Sequence, residues 1–371
     1  MSKIEELQTT LSKFGLENYL DSIKQKIESL TFVDIKIKDQ IYDFIQGSIL
    51  YENDDHSFSN GKYFWESLTD YTIRDIITQI TALFYPKLNF PKEGCGILGQ
   101  FDQTIVDGAV EELNSKGYHI YKTRLNEETC DNILKKLDDA VFRSYTSLHD
   151  IKGVKPDEAK SNTYFVLNHQ SVAEISEIQE LMMDPILLNI VQDYLKCAPI
   201  HVQCNSWWSV NNNRDEADLK KSAQFYHQDM TFIKFIKVFI YLKDVESENG
   251  PHVYVPGSML SKNLHLPEGY TASSRVSDEF ILNKYGGEGI KEMTGKKGTI
   301  LFEDTSGYHK GKSVEKGHRV IAQLEYSPSL FNGIKEQVTE NHVLRKSDTF
   351  SEKFIEFIKK HPRMFTMHFK K

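Results

Sequence analysis

Gln224-Phe225-Tyr226-His227-Gln228-Asp229-Met230 reads as a β-strand segment carrying two metal-ligating side chains on one face. Side chains alternate in direction along a strand, so residues at i and i+2 project together and His227 and Asp229 can close on one ion. A second histidine from a distant strand would complete a face of two histidines and one carboxylate. That set suits non-haem ferrous iron and leaves adjacent positions open for a co-substrate and oxygen. His309 is the candidate, because Gly298-Thr-Ile-Leu-Phe-Glu-Asp-Thr-Ser-Gly-Tyr-His309 brings a strand up to a lone histidine. The expectation is an enzyme.

A His-x-Asp pair alone is a common accident of surface strands, so its surroundings decide its weight. The pair precedes an apolar strand, Val238-Phe-Ile-Tyr-Leu242, then a turn, Asp244-Val-Glu-Ser-Glu-Asn-Gly-Pro251, leading into Val253-Tyr-Val-Pro-Gly-Ser258. Arg319 opens an alternating strand, Arg-Val-Ile-Ala-Gln-Leu-Glu-Tyr326, and shares a face with Ile321 and Gln323. Its guanidinium can grip a carboxylate with a two-pronged fork, which lysine cannot. His309 and Arg319 are close enough in sequence for one hairpin to set metal ligand and carboxylate anchor side by side.

From Pro199 onward the chain reads as short strands: His201–Val210, Lys237–Leu242, His252–Val255, Gly298–Phe302 and Arg319–Tyr326. Without long helices between them, they indicate an antiparallel sandwich or jelly-roll barrel. Upstream the pattern is helical. Ile4, Leu7, Leu11 and Phe14, then Leu20, Ile23, Ile27 and Leu30, and later Leu68 to Leu83 form stripes at helical spacing, the last ended by Pro86. Two prolines and three glycines between Pro86 and Gly99 mark a connection, dividing a helical region at 1–95 from a domain at 96–371. That domain opens with a helix (103–115), a strand (118–122) and a helix capped by Asn126, followed by a helical pair over 172–195.

With 371 residues the chain can bury a large core. Its formal charge of −8 argues against general nucleic-acid binding, which uses basic surface to displace counterions from phosphates. The charged start, Met-Ser-Lys-Ile-Glu-Glu-Leu, lacks the apolar centre of a secretory signal, and no apolar run suits a membrane span, so a cytoplasmic protein is expected. Cys95, Cys130, Cys197 and Cys204 have no Cys-x-x-Cys spacing and read as reduced thiols rather than zinc ligands.

Three stretches carry a resemblance: Gln-Phe-Tyr-His-Gln-Asp; the Lys-Val-Phe-Ile-Tyr-Leu-Lys-Asp-Val block with Glu-Asn-Gly-Pro-His-Val-Tyr-Val-Pro-Gly-Ser; and Phe-Glu-Asp-Thr-Ser-Gly-Tyr-His-Lys-Gly with its downstream Arg. Together they are similar to the phytanoyl-CoA dioxygenase family of iron(II)- and 2-oxoglutarate-dependent oxygenases, over about residues 103–330. The resemblance implies an α+β chain with a double-stranded β-helix core, flanking helices and a helical N-terminal extension. It implies iron on His227, Asp229 and His309, and Arg319 on the distal carboxylate of 2-oxoglutarate. Oxygen completes the implied chemistry, which releases succinate and carbon dioxide and oxidises a small molecule, most simply by hydroxylation. Asp229 argues against halogenation, since related halogenases carry a small residue there to admit chloride.

One position departs from the family pattern, which often has a serine two residues after the distal histidine to help hold 2-oxoglutarate. This chain has Gly311, with Ser313 the nearest substitute. Gln203 is a further candidate for the co-substrate pocket, and Asn205 and Trp207 share its strand face. Tyr164 and Asn168 fall where such enzymes carry substrate-covering loops. His252, His265 and His318 read as loop or surface histidines. Lys296, Lys297, Lys310, Lys312 and Lys316 form a basic cluster that would either steer an anionic substrate or make a solvated face. The alternative to an enzyme is a ligand-binding or regulatory module that keeps the barrel without catalysis.

Overall fold

The computed structural model describes residues 2–53, 68, 70–91, 96–144, 146–211, 224–230, 232–260, 274–331 and 352–365. Its strands are β1 (Tyr118–Ile120), β2 (Val141–Arg143), β3 (Asp150–Lys152), β4 (Thr163–Val166), β5 (Ile200–Val210), β6 (Ile236–Tyr241), β7 (His252–Tyr254), β8 (Lys291–Met293), β9 (Ile300–Glu303), β10 (His309–Gly311) and β11 (His318–Ser327). They form an antiparallel sheet in the order β1-β9-β6-β11-β5-β4-β2-β3, and a smaller antiparallel sheet in the order β10-β7-β8. A bridge between His227 and His309 adds the ligand segment to the small sheet, and a second between Tyr226 and Val276 extends it further. Two facing sheets built this way make the double-stranded β-helix.

The period-two pattern sorts the large sheet into two faces. On β11, Val320, Ala322, Leu324 and Tyr326 point outward into the main core beneath the helices Gln103–Lys116, Glu127–Leu137 and Pro185–Leu195. Ile321 instead joins Phe239, Tyr241, Tyr254 and Leu301 between the two sheets. Arg319, Gln323 and Glu325 share the side of Ile321 by alternation. The third of those helices is fixed at its start by Asp184, whose carboxylate accepts from the amides of Ile186 and Leu187, with Pro185 in the first turn where no amide is missed.

The upstream stripes form the helices Lys3–Lys13, Leu20–Glu28 and Tyr71–Phe84, which share one apolar cluster with a further helix, Ile35–Glu52, and with Ile233 and Phe331. The Phe331 ring lies where a side chain on Gly47 would stand, since a Cβ there would come within 2.2 Å of it. Ser48 and Ser329 hydrogen-bond at 2.9 Å, and Asp75 takes ion pairs from Lys196 and Lys234. Ile233 and Lys234 follow the His-x-Asp segment, and Ser329 and Phe331 follow β11. The N-terminal helices therefore cover the end of the barrel at which β6 begins and β11 finishes.

Some local readings change. The region expected as a helical pair contains three helices, His169–Ala173, Ser176–Met182 and Pro185–Leu195. Strands β2, β3 and β4, of three or four residues each, and the helix Asp278–Tyr285 had no periodic signal long enough to read. Most of the polar stretch 51–61, with Cys95 and His265, lies outside the described residues. No described helix is long and apolar enough to cross a membrane.

Candidate metal centre

His227 sits in the ladder opposite His309, their amides and carbonyls exchanging two bonds of 3.0 Å. Asp229 lies just beyond the bridge, and its amide donates to the Thr305 carbonyl at 2.8 Å. The carboxylate is thus set by a backbone anchor past the strand end, not by strand alternation alone. One ligand atom from each of His227, Asp229 and His309 falls within 4.8 Å of the others, and both histidines are buried. Nε2 of His227 lies 3.7 Å from Asp229 Oδ1, and Nε2 of His309 lies 3.4 Å from Oδ2.

Backbone carbonyls settle how the rings present themselves. Nδ1 of His227 meets the Phe225 carbonyl at 2.9 Å and Nδ1 of His309 meets the Gly307 carbonyl at 3.0 Å. A carbonyl only accepts, so each Nδ1 carries a proton and each Nε2 is the nitrogen turned toward the ion position. Burial, and then His309, push the His227 imidazole well below its ordinary value, leaving it neutral. Burial raises the Asp229 carboxyl, but Lys237 and His309 outweigh it and hold the group well below the usual carboxylate range. A neutral His227 nitrogen and an ionised Asp229 oxygen suit a divalent ion.

Arg319 opens the opposite end of the inner face, paired across the sheet with Ser209. It is buried, and Nη1 donates to the Gly250 carbonyl. Nε has no acceptor among the described residues. A buried charged donor without a partner is costly, and a carboxylate would supply one. Gly311 explains how the guanidinium fits: a Cβ there would lie 3.0 Å from Nη2, so glycine leaves the room. The departure from serine thus has a steric reason. The Ser313 hydroxyl donates to Gln224 Oε1 at 2.7 Å and ties down the strand leading to His227.

A polar row crosses the other end of the inner face. Gln203, Glu325, Lys237 and Glu303 stand opposite one another on β5, β11, β6 and β9. Gln203 Nε2 donates to Glu325 Oε2 at 2.8 Å, and Lys237 Nζ donates to Asp229 Oδ2 at 2.8 Å. Glu325 lies six positions along β11 from Arg319, about 20 Å of strand, so Gln203 lies far from the co-substrate anchor expected to use it. His252 is no surface residue: it is buried on β7, with Nδ1 3.0 Å from the Glu303 carboxylate and its ring 4.5 Å from Phe239. Arg275 is near enough to act electrostatically on both His227 and Asp229. Charge at Lys237, Glu303 and Glu325 was readable on inward strand positions; the place of Arg275 had no sequence signal.

Other sequence candidates lie elsewhere. Tyr164 is on the outer face, stacked on Trp208 at 4.8 Å in the main core, while Asn168 is exposed and caps a helix through the Gln170 amide. Neither is brought to the triad. Trp207 faces inward against Phe239 and Ile321, with Asn205 on the same side of β5. His318 is half-buried at the start of β11. The basic cluster is compensated: Lys296 pairs with Asp244 and Glu246, Lys297 with Asp131, Lys310 with Asp278, Lys312 with Glu292, and Lys316 with Glu248. Paired in this way, the cluster presents little uncompensated positive charge.

The family model described as "Phytanoyl-CoA dioxygenase (PhyH)" matches residues 113–316. No curated protein matches the chain. Among solved structures, it is similar to the epimerase SnoN in complex with Fe3+, alpha ketoglutarate and nogalamycin RO, at 12% identity and TM-score 0.48 over 68% of this chain and 95% of that one. It is also similar to EctD from S. alaskensis with bound Fe, at 16% identity and TM-score 0.44 over 66% and 86% of the two chains. HygX from Streptomyces hygroscopicus, with nickel and 2-oxoglutarate bound, gives 14% identity and TM-score 0.43 over 66% and 93%.

Proposed function

The chain belongs to the phytanoyl-CoA dioxygenase family, and from that premise we propose that it is an iron(II)- and 2-oxoglutarate-dependent oxygenase acting on a C–H bond of a small molecule, most simply by hydroxylation. The observation that carries this reading is the convergence of His227, Asp229 and His309, their ligand atoms within 4.8 Å and both Nδ1 protons committed to carbonyls. When bound, iron and 2-oxoglutarate supply the oxidation, coupling decarboxylation of the co-substrate to attack on the substrate by oxygen. His227, Asp229 and His309 hold the ion. Arg319 takes the distal carboxylate of 2-oxoglutarate in its fork, and the walls of Phe239, Tyr241 and Ile321 exclude water between the two ends.

With Arg319 at the co-substrate end, Gln203 and Glu325 fall on the substrate side. Lys237, Arg275 and Arg319 balance Asp229, Glu303 and Glu325 in formal charge, and a ferrous ion balances a 2-oxoglutarate dianion. A neutral substrate bearing hydrogen-bonding groups fits this better than the anionic one that the basic cluster suggested.

Anaerobic addition of Fe(II) and then 2-oxoglutarate is expected to produce a visible charge-transfer band. Its absence would leave the non-catalytic binding module. Mass spectrometry of a metabolite extract incubated with protein, iron, ascorbate and 2-oxoglutarate then identifies the substrate, and a gain of one oxygen separates hydroxylation from desaturation or ring closure.

Gly311→Val is expected to press on the guanidinium and weaken 2-oxoglutarate binding by roughly tenfold, the scale of moderate overpacking. Calorimetry on metal-loaded protein checks this. Unchanged affinity would mean that the guanidinium can move aside without cost.

A further inference from the structure

Lys237 is a buried cation in direct contact with a candidate metal ligand. Its Nζ lies 2.8 Å from Asp229 Oδ2 and 4.0 Å from Glu325 Oε2. Across the sheet it stands directly between Glu325 on β11 and Glu303 on β9, and Gln203 braces Glu325 from β5. Asp229 is the nearest of the carboxylates around the lysine, and Glu325 and Glu303 share its compensation, so the Asp229 charge is not spent on Lys237 alone. A lone cation beside a metal ligand would only repel the metal.

We propose that Lys237 is a positioning residue for the carboxylate ligand: its ammonium holds one oxygen of Asp229 so that the other serves the metal, and Glu325, braced by Gln203, holds the lysine. This rests on the assignment of His227, Asp229 and His309 as metal ligands. Outer-shell partners of this kind fix a ligand's orientation, and losing one typically costs 10- to 100-fold in metal affinity. The sign is diagnostic. If Lys237 acted only as a nearby positive charge, removing it would tighten the metal.

The test is titration of the full-length protein with Co(II), in wild type, Lys237→Met and Asp229→Ala, following the visible absorption of the bound ion. Lys237→Met is expected to bind Co(II) about tenfold or more weakly. The visible spectrum is expected to change shape as the carboxylate, released on one side, turns both oxygens toward the ion. A lysine that merely supported the fold would leave that spectrum unaltered. Lys237→Met strands Glu303 and Glu325 without their cation, so Lys237→Met/Glu325→Gln is measured beside it. If the single variant fails to fold by near-ultraviolet circular dichroism, the double variant is read instead, with the same loss expected.

Wild-type or tighter Co(II) affinity with an unchanged spectrum, in whichever variant folds, overturns the proposal. Asp229→Ala separates the two levels. If it loses Co(II) while the lysine variants do not, the positioning role fails alone; if Asp229→Ala binds as well as wild type, the metal-site reading has failed beneath it.

Discussion

Asp229→Ala is expected to abolish iron binding and 2-oxoglutarate turnover together. The carboxylate is the single anionic member of the triad, and its ionisation is secured by Lys237 and His309 against the cost of burial. Removing it leaves two imidazoles, which still present Nε2 through their carbonyl bonds but bring no negative charge to a divalent ion. Affinity for Fe(II) should fall by more than the roughly 100-fold upper range for losing an outer-shell partner, because a ligand itself is gone. Succinate release without substrate should drop to the level of the buffer. Lys237 keeps Glu325 within 4.0 Å, so the barrel retains a counter-charge for it and should stay folded. Metal content by elemental analysis, succinate by NMR and a thermal melt are the three measurements. Full iron occupancy with full succinate production would reject the assignment of Asp229.

What the sequence made legible was carried by periodicity and spacing. Arg319, Ile321 and Gln323 alternate, and the structure sets Ile321 on the inner side while Val320, Ala322 and Leu324 enter the outer core. Side chains on one strand have only two directions, so a single apolar contact fixes all of them. Trp207 and Trp208 follow the same rule. The sequence set Trp207 on the strand face of Gln203 and Asn205; Trp207 meets Phe239 inside and Trp208 stacks on Tyr164 outside. Tyr164 lies on β4, which is four residues long and too short to display a period, so the sequence did not show that it enters the outer core.

The charged row was harder to read for a different reason. Lys237, Glu303 and Glu325 occupy strand positions that pattern reading assigns to the interior, yet buried charges are intelligible only as pairs. Their pairing depends on register between β6, β9 and β11, and register comes from the whole sheet rather than from any one strand. His252 is the same case. Alone it resembles a loop histidine, and only the packing of the small sheet against Glu303 on the large one gives it a partner.

Arg319→Met is expected to separate the co-substrate from the metal, the reverse of the Asp229 result. Arg319 is buried and none of its hydrogen bonds goes to His227, Asp229 or His309; its Nη1 is held by the Gly250 carbonyl and its Nε lacks an acceptor among the described residues. Metal affinity should therefore stay within about threefold of wild type, the margin for sites without shared partners. Removing one partner of a buried, hydrogen-bonded charge pair costs about 2 to 5 kcal/mol, so 2-oxoglutarate affinity should fall by roughly 30-fold or more. Arg319→Lys keeps the charge but loses the planar fork, and should fall between the two. Titrating the charge-transfer band of the Fe(II) protein with 2-oxoglutarate reads all three proteins on one scale. If Arg319→Met binds 2-oxoglutarate as tightly as wild type, the distal carboxylate has another anchor, and the inner face would have to be reassigned with the co-substrate toward Lys237 rather than away from it.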